Sequence, residues 1–466
     1  MPRFEMSDVI VVLPGILGSV LQKNGRDVWN LSGSAALPAL LSLGRNLNDL
    51  ILDPNAPDPD AVDDGVVATA LLPDLHLVPG LWKIDGYGKI RDTIGERFDV
   101  TPGKNYFEFP YDWRRDNRVA AKQLATRARQ WLADWRRTSG NRDARLVLIG
   151  HSMGGIVSRY FLEVLDGWRD TRALFTFGTP YRGSLNALDS LSNGIRKGPF
   201  GLVDLSALVR SLTSAHQLLP TYPCYDGGDG SLVRVDEAEI PNLDRARAHA
   251  ALAFHKEIAD AVTAHQRDGD YLEHGYKRYG VIGIGQPTLQ SARRDGDGLA
   301  MLTQYGKDDL RGDGTVPRPS ATPLEIDDGS WGMFASTAHA SLQNADATLD
   351  QLTGVLTGID LSLNRFRDFD VRRQAPVTFA IDVDDLYWID EPVTAGLEAS
   401  TAVAASLIVS AVDDGHVVQQ RSVQLAPGAR TTLELPPLPQ GAYRATVVAA
   451  SPFEPATDVF AVMRRG

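Results

Sequence analysis

The chain has 466 residues, 43% of them hydrophobic and 23% charged, which is the balance of a soluble globular protein. A formal charge of −12 argues against a nucleic-acid binder and against simple electrostatic attraction to anionic lipid. One cysteine, Cys224, rules out an intramolecular disulfide and favours a reducing compartment.

The length exceeds the usual single domain, so two domains, or one with an appendage, are expected. The first eight residues run straight into an apolar strand, without the apolar core and cleavage site of a secretory leader. No run of about 18 uninterrupted apolar residues occurs, so no transmembrane helix is expected, and the location expected is cytoplasmic.

In chain order, Val9 to Leu13 reads as a buried strand running into Pro14-Gly15-Ile16-Leu17-Gly18-Ser19. Residues 31–60 are less regular. Leu37 to Leu43 is apolar, either a short helix packed on the core or a lipid-touching excursion. Val66 to Leu72 reads as a strand, Tyr87 to Arg97 as a helix, and Tyr106 to Phe109 as a strand ending in Pro110-Tyr111-Asp112-Trp113-Arg114. Asp112 and Arg114 are expected to tie that strand end down. A long amphipathic helix follows, from about Asn117 to Arg137.

Leu146 to Ile149 is again apolar and strand-like. It meets Gly150-His151-Ser152-Met153-Gly154-Gly155, and a helix pattern begins at Ile156. Strand, Gly-x-Ser-x-Gly turn and helix together make a nucleophile elbow, a sharp turn that lifts one serine hydroxyl clear of a sheet. Ser152 is the expected nucleophile. The backbone N–H of Met153 then faces a developing oxyanion, and that of Ile16, in the earlier glycine-rich turn, is the expected second donor, with Leu17 next. The strand and helix alternation predicts a mostly parallel sheet with helices on both faces, an α/β-hydrolase.

Ala173 to Phe177 is the next strand. From Leu185 to about 244 the alternation stops, as in a cap or lid inserted over an active site. Within it Leu202, Leu205, Leu208, Val209 and Leu212 are spaced for one amphipathic helix. A helix near Leu243 to Gln266 leads to a late strand, Tyr279 to Gly285, and then to a polar loop containing Asp295, Asp297, Asp308 and Asp309.

A serine nucleophile needs a base, and the base needs an orienting carboxylate, in the chain order serine, acid, histidine for this fold. His339 precedes the last helix pattern (roughly Leu342 to Leu356), where the base belongs. His151 neighbours the serine but points elsewhere by elbow geometry. Asp313, in the compact Gly312-Asp313-Gly314-Thr315-Val316 turn, is the expected acid. Asp295 to Asp309 lacks the spacing of a calcium loop, and no cofactor or metal is expected.

These residues have company. Leu13 to Ser19, Pro110 to Arg114, Gly150 to Gly155, Gly178-Thr179-Pro180, Gln217-Leu218-Leu219-Pro220, Gly312 to Val316 and His339 resemble, in order, the motifs of the lecithin:cholesterol acyltransferase and lysosomal phospholipase A2-like family of α/β-hydrolases. The resemblance covers roughly residues 9 to 360. It implies Ser152, Asp313 and His339 as catalytic triad, Ile16 and Met153 as oxyanion donors, and acyl-ester lipids, chiefly glycerophospholipids, as substrates. The lone cysteine departs from eukaryotic members, which carry a disulfide near an N-terminal lid.

From about Ala375 the composition changes to short alternating strands separated by turns. Six or seven strands in some ninety residues suggest an immunoglobulin-like sandwich. The expected organisation is therefore a catalytic domain over 1–370, with its cap at about 185–244, and a β-sandwich over 375–466. The expected activity is a serine lipid hydrolase or acyltransferase. It would touch a membrane surface transiently, bind no nucleic acid, and meet any protein partner through the β domain. The alternatives are a small-ester or lactone hydrolase, and a non-catalytic interaction protein on a hydrolase scaffold.

Overall fold

The computed structural model describes residues 3–30, 47–53, 64–73, 76–78, 82–197, 203–326, 332–358, 378–450 and 455–464. The apolar stretch at 37–43, Leu202 and the junction at 370–375 lie outside them.

Six strands form one sheet in the order Gly332–Ala335, Lys277–Gly283, Thr171–Phe177, Leu146–His151, Val9–Leu13, Tyr106–Glu108. Every neighbouring pair is parallel. Every residue of Val9–Leu13 and of Leu146–His151 is buried, so both faces of the sheet are covered. That explains why these strands read as unbroken apolar runs without alternation. The chain starts in the middle, moves to one edge with Tyr106–Glu108, then returns past its starting strand and builds outward. The order therefore reverses between Val9–Leu13 and Leu146–His151. The crevice at the carboxyl ends of such a pair is where open α/β sheets place their ligands.

Helix Asn117–Ser139 packs against Met153–Val164, and that helix against Arg245–His265; Gly88–Arg97 packs against Asp346–Gly358. No helix among the described residues is long and apolar enough to cross a membrane.

Several elements differ from the sequence reading. Val66–Leu71 is a strand but joins Ser19–Lys23 in a small antiparallel side sheet. The expected long helix in the cap is two short ones, Ser206–Ser211 and Thr213–His216, preceded by a two-residue strand, Val203–Asp204. Leu205, Leu208, Val209 and Leu212 are nonetheless all buried, so the spacing marked core contact rather than helix length. The aspartate-rich loop begins as a hairpin, Ser291–Asp295 with Gly298–Leu302, turning at Gly296 with φ +57°. The Asp-Gly pair there is a hairpin-turn signal. Its first strand pairs with Tyr225–Asp226, so the cap region continues into it. The last helix starts at Asp346; before it, His339–Asn344 winds as a tight 3-10 helix with all six residues buried. Gln343 and Asn344 within it donate to the Gly86 and Asp85 carbonyls, which holds this tighter winding.

From residue 378 onward the described residues form strands and turns, with no helix among them. Three strands (Phe379–Val383, Val393–Ala399, Thr431–Leu435) form one sheet and five form another, ordered Leu386–Trp388, Ala456–Met463, Gly441–Val448, Val403–Ala411, Val417–Leu425. Both sheets contribute to one buried core, including Ile381, Leu397 and Leu435 from the first and Leu407, Val447 and Phe460 from the second. That makes a β-sandwich. Leu386–Trp388 and Val393–Ala399 were not foreseen as strands.

The long Asn117–Ser139 helix shows its start and stop chemistry plainly. The Asp116 carboxylate accepts from the Arg118 amide, and Gly140 ends the helix in the left-handed region at φ +75°. Asp116→Ala should cost about 1–2 kcal/mol of stability, read from a urea midpoint, and Asp116→Asn markedly less. Equal losses in both variants would mean that the ion pair to Arg118, not the cap, carries the effect.

Candidate active site

Ser152 sits at φ +51°, ψ −122°, a strained conformation for a residue with a side chain. Close packing around it enforces the turn. A Cβ on Gly150 would lie 2.7 Å from the Gly155 nitrogen, and one on Gly154 would lie 2.6 Å from the Leu13 and Pro14 carbonyl oxygens. On Gly155 a Cβ would strike the Thr179 hydroxyl at 2.0 Å. The Ser152 amide donates to Phe177 O at 2.8 Å, and the Thr179 hydroxyl donates to Ser152 O at 3.0 Å.

Asp313 and His339 meet at the carboxyl ends of the neighbouring strands. His339 Nε2 lies 3.0 Å from Ser152 Oγ, and His339 Nδ1 lies 2.7 Å from Asp313 Oδ2. The second carboxylate oxygen of Asp313 accepts from the amides of Thr315 (2.9 Å) and Val316 (2.6 Å). The two residues are joined by backbone as well, His339 N–H donating to Asp313 O at 2.8 Å. Space for the pair requires Gly178, at φ +55°, where a Cβ would lie 2.9 Å from Asp313 Oδ2 and 3.0 Å from His339 Nδ1. A carboxylate with one oxygen on imidazole N–H leaves the far nitrogen free to take the serine proton. All three side chains are buried.

The Pro14–Ser19 turn lies directly against this group, for a Cβ on Gly15 would sit 2.9 Å from Ser152 Cβ. Buried aromatic side chains hold the turn by their polar tips. Tyr111 donates to Pro14 O at 2.8 Å, Trp29 to Leu17 O at 2.9 Å, and Trp113 to Ser19 O at 3.2 Å. Leu17 is held at φ +65°. Among the described residues, the Ile16, Leu17 and Met153 amides have no acceptor. Uncommitted N–H groups in a turn packed against the serine and at the start of the helix that follows it are what an oxyanion needs.

Tyr87 and His151 link these parts. Gly15 N–H donates to the Tyr87 oxygen at 2.7 Å, and the same oxygen is 2.9 Å from His151 Nδ1. His151 Nε2 is 3.2 Å from the His339 carbonyl, which can only accept. Nε2 therefore carries the proton, Nδ1 accepts, and the Tyr87 hydroxyl donates to it. Complete burial, with His339 close by, drives His151 down to about 3, so it is neutral in this chain of bonds. Burial likewise pushes the Tyr87 phenol well above its ordinary range.

Asp112 grips Arg114 with both oxygens, at 2.9 and 2.7 Å, and Asp64 joins the pair at 2.9 Å. Arg114 has no exposed side-chain surface, so this is a structural tie, as expected for the strand end. The same segment reaches the cap, the Asn117 amide donating to Gln217 Oε1 at 2.8 Å and Thr213 N–H to Arg114 O at 3.0 Å.

All five site residues singled out from sequence thus fall in one neighbourhood. The supporting roles of Tyr87, Tyr111, Trp113 and Gly178 went unread. Tyr111 and Trp113, in the Pro110–Arg114 motif, and Gly178, in Gly-Thr-Pro after a strand, carried a local signal; Tyr87 carried none.

A parallel sheet with an elbow serine at its reversal point, and an acid and a histidine on later loops, defines an α/β-hydrolase. Residues 83–271 match the family model of lecithin:cholesterol acyltransferase. The Saccharomyces cerevisiae protein YJR098C is 26% identical over 178 residues, 38% of this chain and 24% of that one; the chain spans about a quarter of the curated relative it matches. Among solved structures, the mature Bacillus licheniformis lipase BlEst2 aligns at 15% identity, covering 75% of this chain and 91% of that one, with a TM-score of 0.31. Phospholipase PlaB from Legionella pneumophila aligns at 11% identity, covering 81% and 89%, also with a TM-score of 0.31.

The depressed His151 gives a pH prediction. An unfolded chain protonates this imidazole near 6.5, whereas the folded one resists to about 3. The unfolded state therefore binds the extra proton, and stability falls as pH drops through that window. His151→Gln should flatten the fall by up to about 1.4 kcal/mol per pH unit, measured by urea unfolding from pH 7 to 4. Parallel slopes for both proteins would refute a neutral, buried His151.

Proposed function

We propose that the protein is a serine lipid hydrolase or acyltransferase that cleaves acyl esters, glycerophospholipids foremost, through Ser152, His339 and Asp313. The carrying observation is the hydrogen-bonded line from Ser152 Oγ through His339 to Asp313, at 3.0 and 2.7 Å, on a strained elbow. His339 takes the Ser152 proton as Oγ attacks the acyl carbonyl. The negative oxygen that forms is met by the amides of Ile16 and Met153. Collapse expels the lipid alcohol, which recovers the proton from His339, and leaves an acyl group on Ser152. Asp313 keeps the imidazole in the tautomer that can accept, and steadies the imidazolium once formed. Water then releases a fatty acid, or an alcohol takes the acyl group. The same residues serve both outcomes.

Mass spectrometry of mixed phospholipid vesicles incubated with the protein tests this reading. Fatty acid and lysophospholipid should appear with the wild type and fall by about 10³-fold or more with Ser152→Ala. Hydrolysis confined to short soluble esters, with intact phospholipid, would replace the lipid reading by that of a small-ester hydrolase.

A further inference from the structure

The C-terminal sandwich does not stand apart from the proposed site. It meets both loops that carry the acid and the base. On the acid side, Arg311, two residues before Asp313 and itself at φ +55°, grips Glu398 of the sandwich with both terminal nitrogens, at 3.3 and 2.9 Å. On the base side, the amide of Ala338, next to His339, donates to Thr457 O at 3.3 Å. Asp85, whose amide donates to Ala340 O at 3.1 Å, is gripped by Arg444 of the sandwich at 2.5 and 2.7 Å.

One residue joins all three parts. Gln286 is only 2% exposed and follows the strand that leads to the acid loop. Its backbone exchanges two hydrogen bonds with Gly312, at 3.0 and 3.2 Å, which fixes the residue before Asp313. Its side-chain amide behaves like a short piece of strand. The NH₂ donates to Ser336 O, at the start of the base loop, at 2.5 Å, and to Phe379 O of the sandwich at 3.4 Å. Its Oε1 accepts from Ile381 N–H at 3.1 Å. Gly285 beside it leaves room for the sandwich, since a Cβ there would lie 3.2 Å from Phe379 O. A cavity of about 440 Å³ borders this junction, lined by Gln286, Asp313 and His339 on one side and by Ile381, Asp385 and Asp458 on the other.

We infer that the β-sandwich is a positioning element of the catalytic site, acting through Gln286 and through the Arg311–Glu398 pair. The inference rests on the reading of Ser152, His339 and Asp313 as the triad. The physical reason is that acid and base ride on separate loops. The strand before the base, Gly332–Ala335, is an edge strand of four residues with one sheet neighbour. Its loop needs a second anchor to hold His339 between Ser152 and Asp313. Gln286 supplies that anchor, and the sandwich keeps Gln286 in its rotamer. Neither Gln286 nor Glu398 is among the residues proposed to meet substrate, so loss of either should slow the chemical step without weakening substrate binding.

The test uses the full-length protein with Gln286→Leu, Glu398→Ala, Arg311→Glu, and the exchanged pair Arg311→Glu with Glu398→Arg. Steady-state kinetics on a soluble p-nitrophenyl acyl ester would be combined with the rate of fluorophosphonate labelling. Gln286→Leu should lower kcat by about 10- to 100-fold with KM within about twofold, and slow labelling in parallel. Glu398→Ala should do the same more weakly, and the exchanged pair should recover much of what Arg311→Glu loses. Glu398 lies in the sandwich, so its variant keeps the question open to disproof should Gln286→Leu fail to fold. Wild-type kcat and labelling in Glu398→Ala and Gln286→Leu, with only a lowered unfolding temperature, would reduce the sandwich to a stabilising appendage. Failure of the wild type itself to label would overturn the triad reading, and this inference with it.

Discussion

The backbone of Ser152 is the constraint on which the rest depends. A serine at φ +51° is held there only because its surroundings leave no alternative, and those surroundings are glycines where side chains would collide. The strain, of order 1–3 kcal/mol, is offset by burial along the Leu146–His151 strand and the Met153–Val164 helix. The return is a hydroxyl fixed at the mouth of the crevice where the strand order reverses. Gly178 extends the same logic one strand further, since its missing side chain is the space in which Asp313 and His339 meet.

Around that fixed point the site is assembled from polar contacts that cross long stretches of chain. The Pro14–Ser19 turn is held by tyrosine and tryptophan tips, and Tyr87 and neutral His151 connect it to the backbone of His339. The Tyr87 oxygen and both ring nitrogens of His151 each have a hydrogen-bond partner, whereas the Ile16 and Met153 amides beside Ser152 have none among the described residues. The Pro14–Ser19 turn and the His339 backbone are thus linked through a single histidine adjacent to Ser152. On the far side, the contacts of Gln286 and Arg311 bring the sandwich into the same framework.

How much of this was legible follows from how local each signal is. The elbow could be read because strand, glycines, serine and helix are consecutive, and Asp313 because a Gly-Asp-Gly-Thr-Val turn is compact. The resemblance to acyltransferase-like hydrolases was carried by the same local motifs. Tyr87 gave no such signal, because its partners are 72 and 64 residues away and an aromatic at a helix start normally reads as core. Gln286 was silent for the same reason. Its bonds run to residues 312, 336, 379 and 381. The strand Gly332–Ala335 was missed because it is four residues long, and its glycine is needed for packing; a Cβ on Gly332 would lie 2.8 Å from Gly280 O. The hairpin at 291–302 was lost among its aspartates, whose charge suggested a loop more strongly than the Asp-Gly turn suggested strands.

The most direct measurement is peptide mapping by mass spectrometry after reaction with a fluorophosphonate. The expected result is one phosphonyl adduct on Ser152, absent from Ser152→Ala and forming about 10³-fold or more slowly in His339→Ala. An adduct on another residue, or an undiminished rate in His339→Ala, would contradict a serine activated by that histidine.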